Sequence, residues 1–400
     1  MKIAILSVGS LRDKKGVMNY VHEKAKLMQK LISGEHQVDV FLLHQISSPL
    51  YSLAILHKKP LSRTLLKTSE IYDGVTYNYI HYNYGLLDYI IRTKIMGLPI
   101  GRSEEKRILD LLSTYDLIAS HNILCHYIAK RNKDVNKIPY VATWHGSDIN
   151  VYPMRNKNQR NLVRLALENA DMNWFVSRAL MKTSDEITIH AKKQVLYTGP
   201  SQFFHILDNK EEFHKLYGNG KKYVIGFAGN LIPIKNAQLL PVIFGKVKDL
   251  IGYENVQFVI AGDGILGRQI KEDLRINNIH VTWLGNVEPL KMPEIMNSLD
   301  ILVLPSKNEG LPLVILEARK CGVHVVGSDR GGIPEAIGQP ENIFPLDDKF
   351  TDRISKRIVE ILLNAEMPQP LSDEFSWESA LKKELSIYKS LIKRYEDEPN

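Results

Sequence analysis

Short apolar runs alternate along this chain with segments whose apolar residues recur every three to four positions. That alternation predicts a parallel sheet layered with helices. Residues 3–8 read as a first strand. Val17–Leu31 reads as a helix, because Val17, Tyr20, Val21, Lys24, Leu27, Met28 and Leu31 share one face that is apolar apart from the lysine. Further strands are expected at 38–43, 116–119, 140–143 and 172–176, each bounded by polar residues, Gly or Pro. A second series begins near residue 223, with strands at 223–228, 256–261, 280–284, 301–304 and 323–326 and helices at 236–250 and 266–276. The intervening run Tyr197-Thr198-Gly199-Pro200-Ser201-Gln202 has turn chemistry and suits a linker.

The expectation is therefore an α/β protein of two Rossmann-like, doubly wound domains, 1–200 and 201–376, facing an interdomain cleft. Ligands of such sheets bind outside the carboxyl ends of the strands. A last helix within 377–400 carries a stripe of Leu381, Leu385, Tyr388, Leu391 and Ile392 and is expected to pack back on the first domain. Residues 45–100 give the weakest pattern. Within them the run 86–100, with Arg92 and Lys94, and with Arg102 just beyond it, reads equally as a packed helix or as an amphipathic helix lying on a membrane.

Composition changes this picture in three places. A chain of 400 residues is long for one core and natural for two. Residues 1–200 hold 28 Lys and Arg against 17 Asp and Glu, and the remainder 24 against 28. A basic first half points to an anionic partner such as a membrane surface or a phosphorylated lipid, or to a solvated face. The positive charge is not gathered on a recognition helix or an aromatic-interleaved strand set, so no nucleic acid is expected. The two cysteines, Cys125 and Cys321, lie in apolar surroundings and read as buried filler rather than a disulfide or metal site. The first residues run straight into a strand without a signal-peptide pattern, and no run of eighteen apolar residues occurs. The expected location is cytoplasmic, with peripheral attachment to the inner membrane face allowed by the charge.

The densest chemistry lies in the run from Pro305 to Ala318, PSKNEGLPLVILEA, directly after an expected strand. Gly310 lets a ligand approach the backbone, and Pro312 fits the first turn of a helix. Free amides at such a helix start suit a diphosphate. Glu317, further along that helix, offers a carboxylate for sugar hydroxyls, the alternative being a Gly-Pro turn with a surface glutamate.

This run, with Glu309 and Glu317 separated by seven residues, resembles the retaining glycosyltransferases of family 4, which have the GT-B fold. Other segments resemble that family in the same order: Gly229-Asn230-Leu231-Ile232-Pro233-Ile234-Lys235, Ala261-Gly262-Asp263-Gly264, Leu284-Gly285-Asn286-Val287 and Gly331-Gly332-Ile333-Pro334-Glu335. In the first domain Trp144-His145-Gly146-Ser147-Asp148 resembles the family's His-Gly-x-Asp turn, and Gly16 its glycine loop. The likeness is dense from 223 to 338, weaker over 1–20 and 139–200, and absent from 45 to 100.

The resemblance implies transfer of a sugar, with retention, from a nucleotide diphosphate donor (a UDP- or GDP-sugar) to a saccharide or lipid-linked saccharide. Such transfers build polysaccharides and glycolipids. It implies that Lys235 and the amides of Gly310 and Leu311 hold the diphosphate without a metal or cofactor. Glu317 then takes the ribose, Glu309 and His145 the transferred sugar, and Gly16, Asn230, Gly262 and Val287 line the donor. A leaving phosphate oxygen would serve as base, the alternative being a covalent sugar on Glu309. Asn230 stands where the family has arginine, which shifts phosphate binding towards Lys235; Lys307 or Arg330 could compensate. Asp148 either caps a helix or orients His145. Ser177 reads as a helix cap, and His121, His126 and His190 as structural or surface histidines. A sugar-nucleotide epimerase and a non-catalytic nucleotide-sugar-binding protein remain open.

Overall fold

The computed structural model describes residues 1–9, 16–32, 36–49, 53, 67–88, 90 and 100–397. Most of the run 86–100, including Arg92 and Lys94, lies outside the described residues. The chain divides into two compact units, Met1–Tyr197 with Trp377–Asn400, and Thr198–Ser376.

The first unit is built on an eight-stranded sheet. In chain order its strands are β1 (Lys2–Val8), β2 (Gln37–Ser47), β3 (Ser69–Tyr72), β4 (Val75–Tyr84), β5 (Leu117–His121), β6 (Tyr140–Trp144), β7 (Met172–Phe175) and β8 (Lys193–Val195). Their order across the sheet is β3-β4-β2-β1-β5-β6-β7-β8. All pairings are parallel except the hairpin β3–β4. That hairpin turns at Asp73 and Gly74, both with positive φ (47° and 79°), as a two-residue turn matched to strand twist requires. The central strands are apolar on both faces; all of Leu117–His121 and Tyr140–Trp144 is buried. The sheet changes winding direction between β1 and β5.

The terminal helix Trp377–Asp397 belongs to this unit. Lys24, fully buried on the helix Val17–Leu31, donates to Glu384 at 2.6 Å and to Tyr388 Oη at 3.1 Å. Near the other end Arg394, Tyr395 and Lys133 converge on Asp171 at 2.8–3.0 Å. A buried charge that would be expensive alone is thus paired and hydrogen-bonded, which fixes the register of the helix against the unit.

The second unit carries β9 (Tyr223–Ala228), β10 (Val256–Ala261), β11 (Val281–Gly285), β12 (Ile301–Leu304), β13 (His324–Ser328) and β14 (Ile343–Phe344). The six strands are parallel, in the order β11-β10-β9-β12-β13-β14. This is the doubly wound order of a Rossmann sheet, with the switch point between β9 and β12. The expected helix at 236–250 begins later. Asn236 takes a left-handed conformation (φ 54°), two short 3-10 turns follow, and the α-helix runs Leu240–Ile251 with Pro241 in its first turn. Cys125 and Cys321 are both buried and unpaired. Among the described residues no helix is long and apolar enough to cross a membrane.

Candidate functional site

In the second unit the loops leaving β9, β10, β12 and β13 lock together by backbone. Gly229 N–H donates to the Ala261 carbonyl at 2.9 Å, Leu231 N–H to Asp263 at 3.0 Å, and Leu266 N–H to Leu231 at 3.0 Å. Lys307 N–H reaches the Ile234 carbonyl at 2.8 Å, and Gly332 N–H the Glu309 carbonyl at 3.0 Å. The glycines are required by this approach. A β-carbon on Gly262 (φ 145°) would stand 1.9 Å from the Gly229 oxygen, and one on Gly331 (φ 56°) 2.2 Å from the Glu309 oxygen.

This lattice brings Lys235 and Glu309 together although 74 positions separate them. Lys235 Nζ donates to Glu309 Oε1 at 2.6 Å, and both side chains are largely shielded from water. The pair sits where β9 and β12 diverge, the place a doubly wound sheet offers to a ligand. Beside it, the amides of Gly310 and Leu311 have no hydrogen-bond acceptor among the described residues. Pro312 proves to be the N-cap, and the helix it precedes is Leu313–Lys320. Glu317 lies half-buried one turn into that helix, and burial pushes its carboxyl up to about 7.

A cation, a row of open amides and a carboxylate held partly out of water thus share one edge of the sheet. The first two suit an anion, and the last suits hydroxyl donors. Asn230 and Gly262 belong to the same loops. Val287 follows β11, the edge strand two places from β9. Lys307 is exposed, and Arg330 pairs with Asp329 at 3.0 Å. Among the described residues no group of three or more His, Cys, Asp or Glu could hold a metal ion.

The remaining residues singled out in the sequence lie in the first unit. Gly16 precedes the helix Val17–Leu31 in a positive-φ conformation (56°). His145 follows β6, on a turn pinned by Asp148. The Asp148 carboxylate accepts from the amides of Gly146 at 2.9 Å and His145 at 3.3 Å, so it orients the His145 turn. Burial raises the Asp148 pKa, and these backbone bonds oppose the rise. Ser177 caps the helix Arg178–Asp185 by accepting from Leu180 N–H at 3.2 Å. His126 is buried against Trp144 and bonded to Ser120 Oγ at 2.8 Å, and His190 is exposed.

His121 is fully buried, in keeping with the structural alternative of the sequence reading, but it has a partner that the sequence did not show. Its Nδ1 lies 2.9 Å from His145 Nε2. Burial, and secondly the charge of Lys24, drives both imidazoles below their ordinary pKa, His145 to about 3. The signal in the sequence was its place just after the strand expected at 116–119; the strand runs on to His121, beside the switch point of the first sheet.

Residues 208–374, most of the second unit, match the family described as glycosyl transferases group 1. Over 315 residues the chain is 24% identical to the N-acetyl-alpha-D-glucosaminyl L-malate synthase of Bacillus anthracis, spanning 77% of this chain and 80% of that protein. The sucrose-phosphate synthase of Thermosynechococcus elongatus superposes with a TM-score of 0.75 at 16% identity, covering 98% of this chain and 99% of the other. HepE of Anabaena, solved in complex with UDP, gives 0.73 at 16% identity, covering 98% and 100%. The structural likeness speaks for the fold, which is GT-B. Residues 208–374, within the second unit, are thus similar to the group 1 glycosyltransferases.

Proposed function

We propose that the protein transfers a sugar, with retention, from a UDP- or GDP-sugar to a saccharide or lipid-linked saccharide acceptor, as in family 4. The observation that carries this reading is the Lys235–Glu309 pair at the β9/β12 switch point, next to the open amides of Gly310 and Leu311. In this reading the donor diphosphate takes Lys235 as its counter-charge and the two amides as its hydrogen-bond donors. Glu309, released from its ion pair, turns to the hydroxyls of the transferred sugar. Glu317 accepts from the ribose hydroxyls. Negative charge grows on the diphosphate as the sugar departs, and donors already aimed there supply the main catalytic effect without a metal. With Asn230 in place of an arginine, Lys235 is the principal fixed cation of the cradle.

His145 is assigned to the transferred sugar, and the first unit to the acceptor. The basic composition of residues 1–200 supports an acceptor carried on an anionic membrane surface. Sedimentation with anionic vesicles at low salt should then retain the protein, and a protein that stays in solution contradicts that part. The donor reading is tested by melting the protein with UDP, GDP and ADP. One of the first two should raise the melting temperature, because a ligand that binds only the folded state stabilises it. An unchanged melting temperature with all three overturns the reading. NMR of the product made from an α-linked donor should show an α-anomer, and a β-anomer would exclude retention.

A further inference from the structure

His145 and His121 end neighbouring parallel strands. His121 closes β5 opposite Thr143 in β6, and His145 follows β6 directly. Their rings meet edge to edge, with centroids 5.2 Å apart and an interplanar angle of 30°. Tyr20 from the helix Val17–Leu31 packs edge-on against His145 at 4.7 Å and tilted against His121 at 5.5 Å. Trp377 packs on Tyr20 at 5.0 Å. Neither imidazole is therefore free to turn. The Asp148 carboxylate accepts from backbone amides and lies 4.0 Å from His126 Nε2, and among the described residues no carboxylate hydrogen-bonds to the ring of His121 or His145.

Among the described residues, Lys24, Glu384 and His126 are the titratable groups near the pair besides Tyr20 and Asp148. Lys24 is engaged by Glu384 at 2.6 Å, and His126 by Ser120. Two neutral imidazoles joined by one hydrogen bond allow two tautomer combinations. In one, His121 Nδ1–H donates to His145 Nε2, leaving a lone pair on His121 Nε2. In the other, the proton sits on His145 Nε2, leaving an N–H on His121 Nε2. His121 Nε2 is buried and has no hydrogen-bond partner among the described residues. A buried donor left without an acceptor is the rarer and costlier case. The first combination is favoured, and it places the remaining proton of His145 on Nδ1. That nitrogen makes no hydrogen bond among the described residues and is not sealed from solvent.

We infer that His121 is the positioning residue of His145: by donating from Nδ1 it holds His145 in the tautomer that offers an Nδ1–H donor to a sugar hydroxyl. The significance for turnover rests on the reading of His145 as a contact of the transferred sugar; the tautomer assignment does not. The test is a two-bond 1H–15N spectrum of the full chain labelled with 15N-histidine, the His145 signal being identified by its loss in His145→Gln. Wild type should show the Nδ1–H form of His145. His121→Phe, which fills the space without a donor, should lose that form, and His121→Asn, whose amide can donate from nearly the same place, should restore it. Melting temperatures show that each variant is folded. An Nε2–H form in wild type, or an unchanged spectrum in folded His121→Phe, overturns the inference.

The kinetic counterpart is release of UDP from UDP-glucose. His121→Phe should lower kcat about 100-fold with little change in KM, the scale of a misaligned catalytic contact, and His121→Asn should recover most of it. Equal turnover by His145→Gln and wild type would remove the sugar-contact reading alone, leaving the tautomer assignment to the spectrum.

Discussion

Glu317→Gln should stabilise the protein and weaken its binding of nucleotide, and the structure sets the scale of both. Burial moves the Glu317 carboxyl from 4.5 to about 7. At 1.36 kcal/mol per pKa unit that is roughly 3 kcal/mol against the ionised form. The side chain keeps part of its surface in water, so about 1–2 kcal/mol is the working figure. The sign follows from linkage. For an acid whose pKa is raised on folding, the cost is absent below about 4.5, grows as pH rises, and is complete above about 7. Glutamine has the same shape and no charge.

Scanning calorimetry should therefore find the second unit of Glu317→Gln melting about 3–6 °C above wild type at pH 8, and within about 1 °C of it at pH 5. The same substitution removes a charged acceptor for the ribose hydroxyls, and such a bond is worth roughly 1.5–3 kcal/mol. The nucleotide that stabilises wild type should accordingly bind about 10- to 100-fold more weakly. A difference in melting temperature that does not change with pH, or a variant less stable at pH 8, refutes the reasoning, because it would mean that the carboxylate already has a compensating partner.

Lys235→Ala and Glu309→Ala should each lower turnover by roughly 100- to 1,000-fold, the scale of a lost preorganised charge, with circular dichroism unchanged; near-normal rates in both contradict the assignment. Gly262→Ala should cost about 3 kcal/mol or more and lower the melting temperature of the second unit by several degrees, since its β-carbon would overlap the Gly229 carbonyl. Treatment with EDTA should leave turnover unchanged, and a loss restored by Mg2+ or Mn2+ would contradict a cradle that works without a metal.

The strands of the second unit were the most legible part of the chain. Tyr223–Ala228, Val256–Ala261 and Ile301–Leu304 run as the sequence predicts, because a parallel strand covered on both faces is a continuous apolar run. The hairpin of β3 and β4 was not legible, since Val75–Tyr84 mixes tyrosines with amides and a histidine. Its one signal was the Asp73-Gly74 pair at the turn. The start of the helix after β9 was misplaced because Asn236 and Pro241 each impose a local geometry that apolar spacing does not report.

At the candidate site, Lys235 and Glu309 were readable as separate residues. Their ion pair was not, because it exists only through the crossover that sets β9 beside β12. His121 shows the same limit more sharply. It had no partner at ligand spacing along the chain, and acquires one only when β5 pairs with β6. Asp148 went the same way, from an ambiguous cap to the residue that fixes the His145 backbone.

The central claim is that a nucleotide diphosphate is held at the end of β12 by the amides of Gly310 and Leu311. Hydrogen exchange of those two amides, measured with and without UDP or GDP, tests it most directly. The account predicts that both exchange freely in the unliganded protein and become protected with the nucleotide that raises the melting temperature. Protection that appears elsewhere while Gly310 and Leu311 go on exchanging would contradict it.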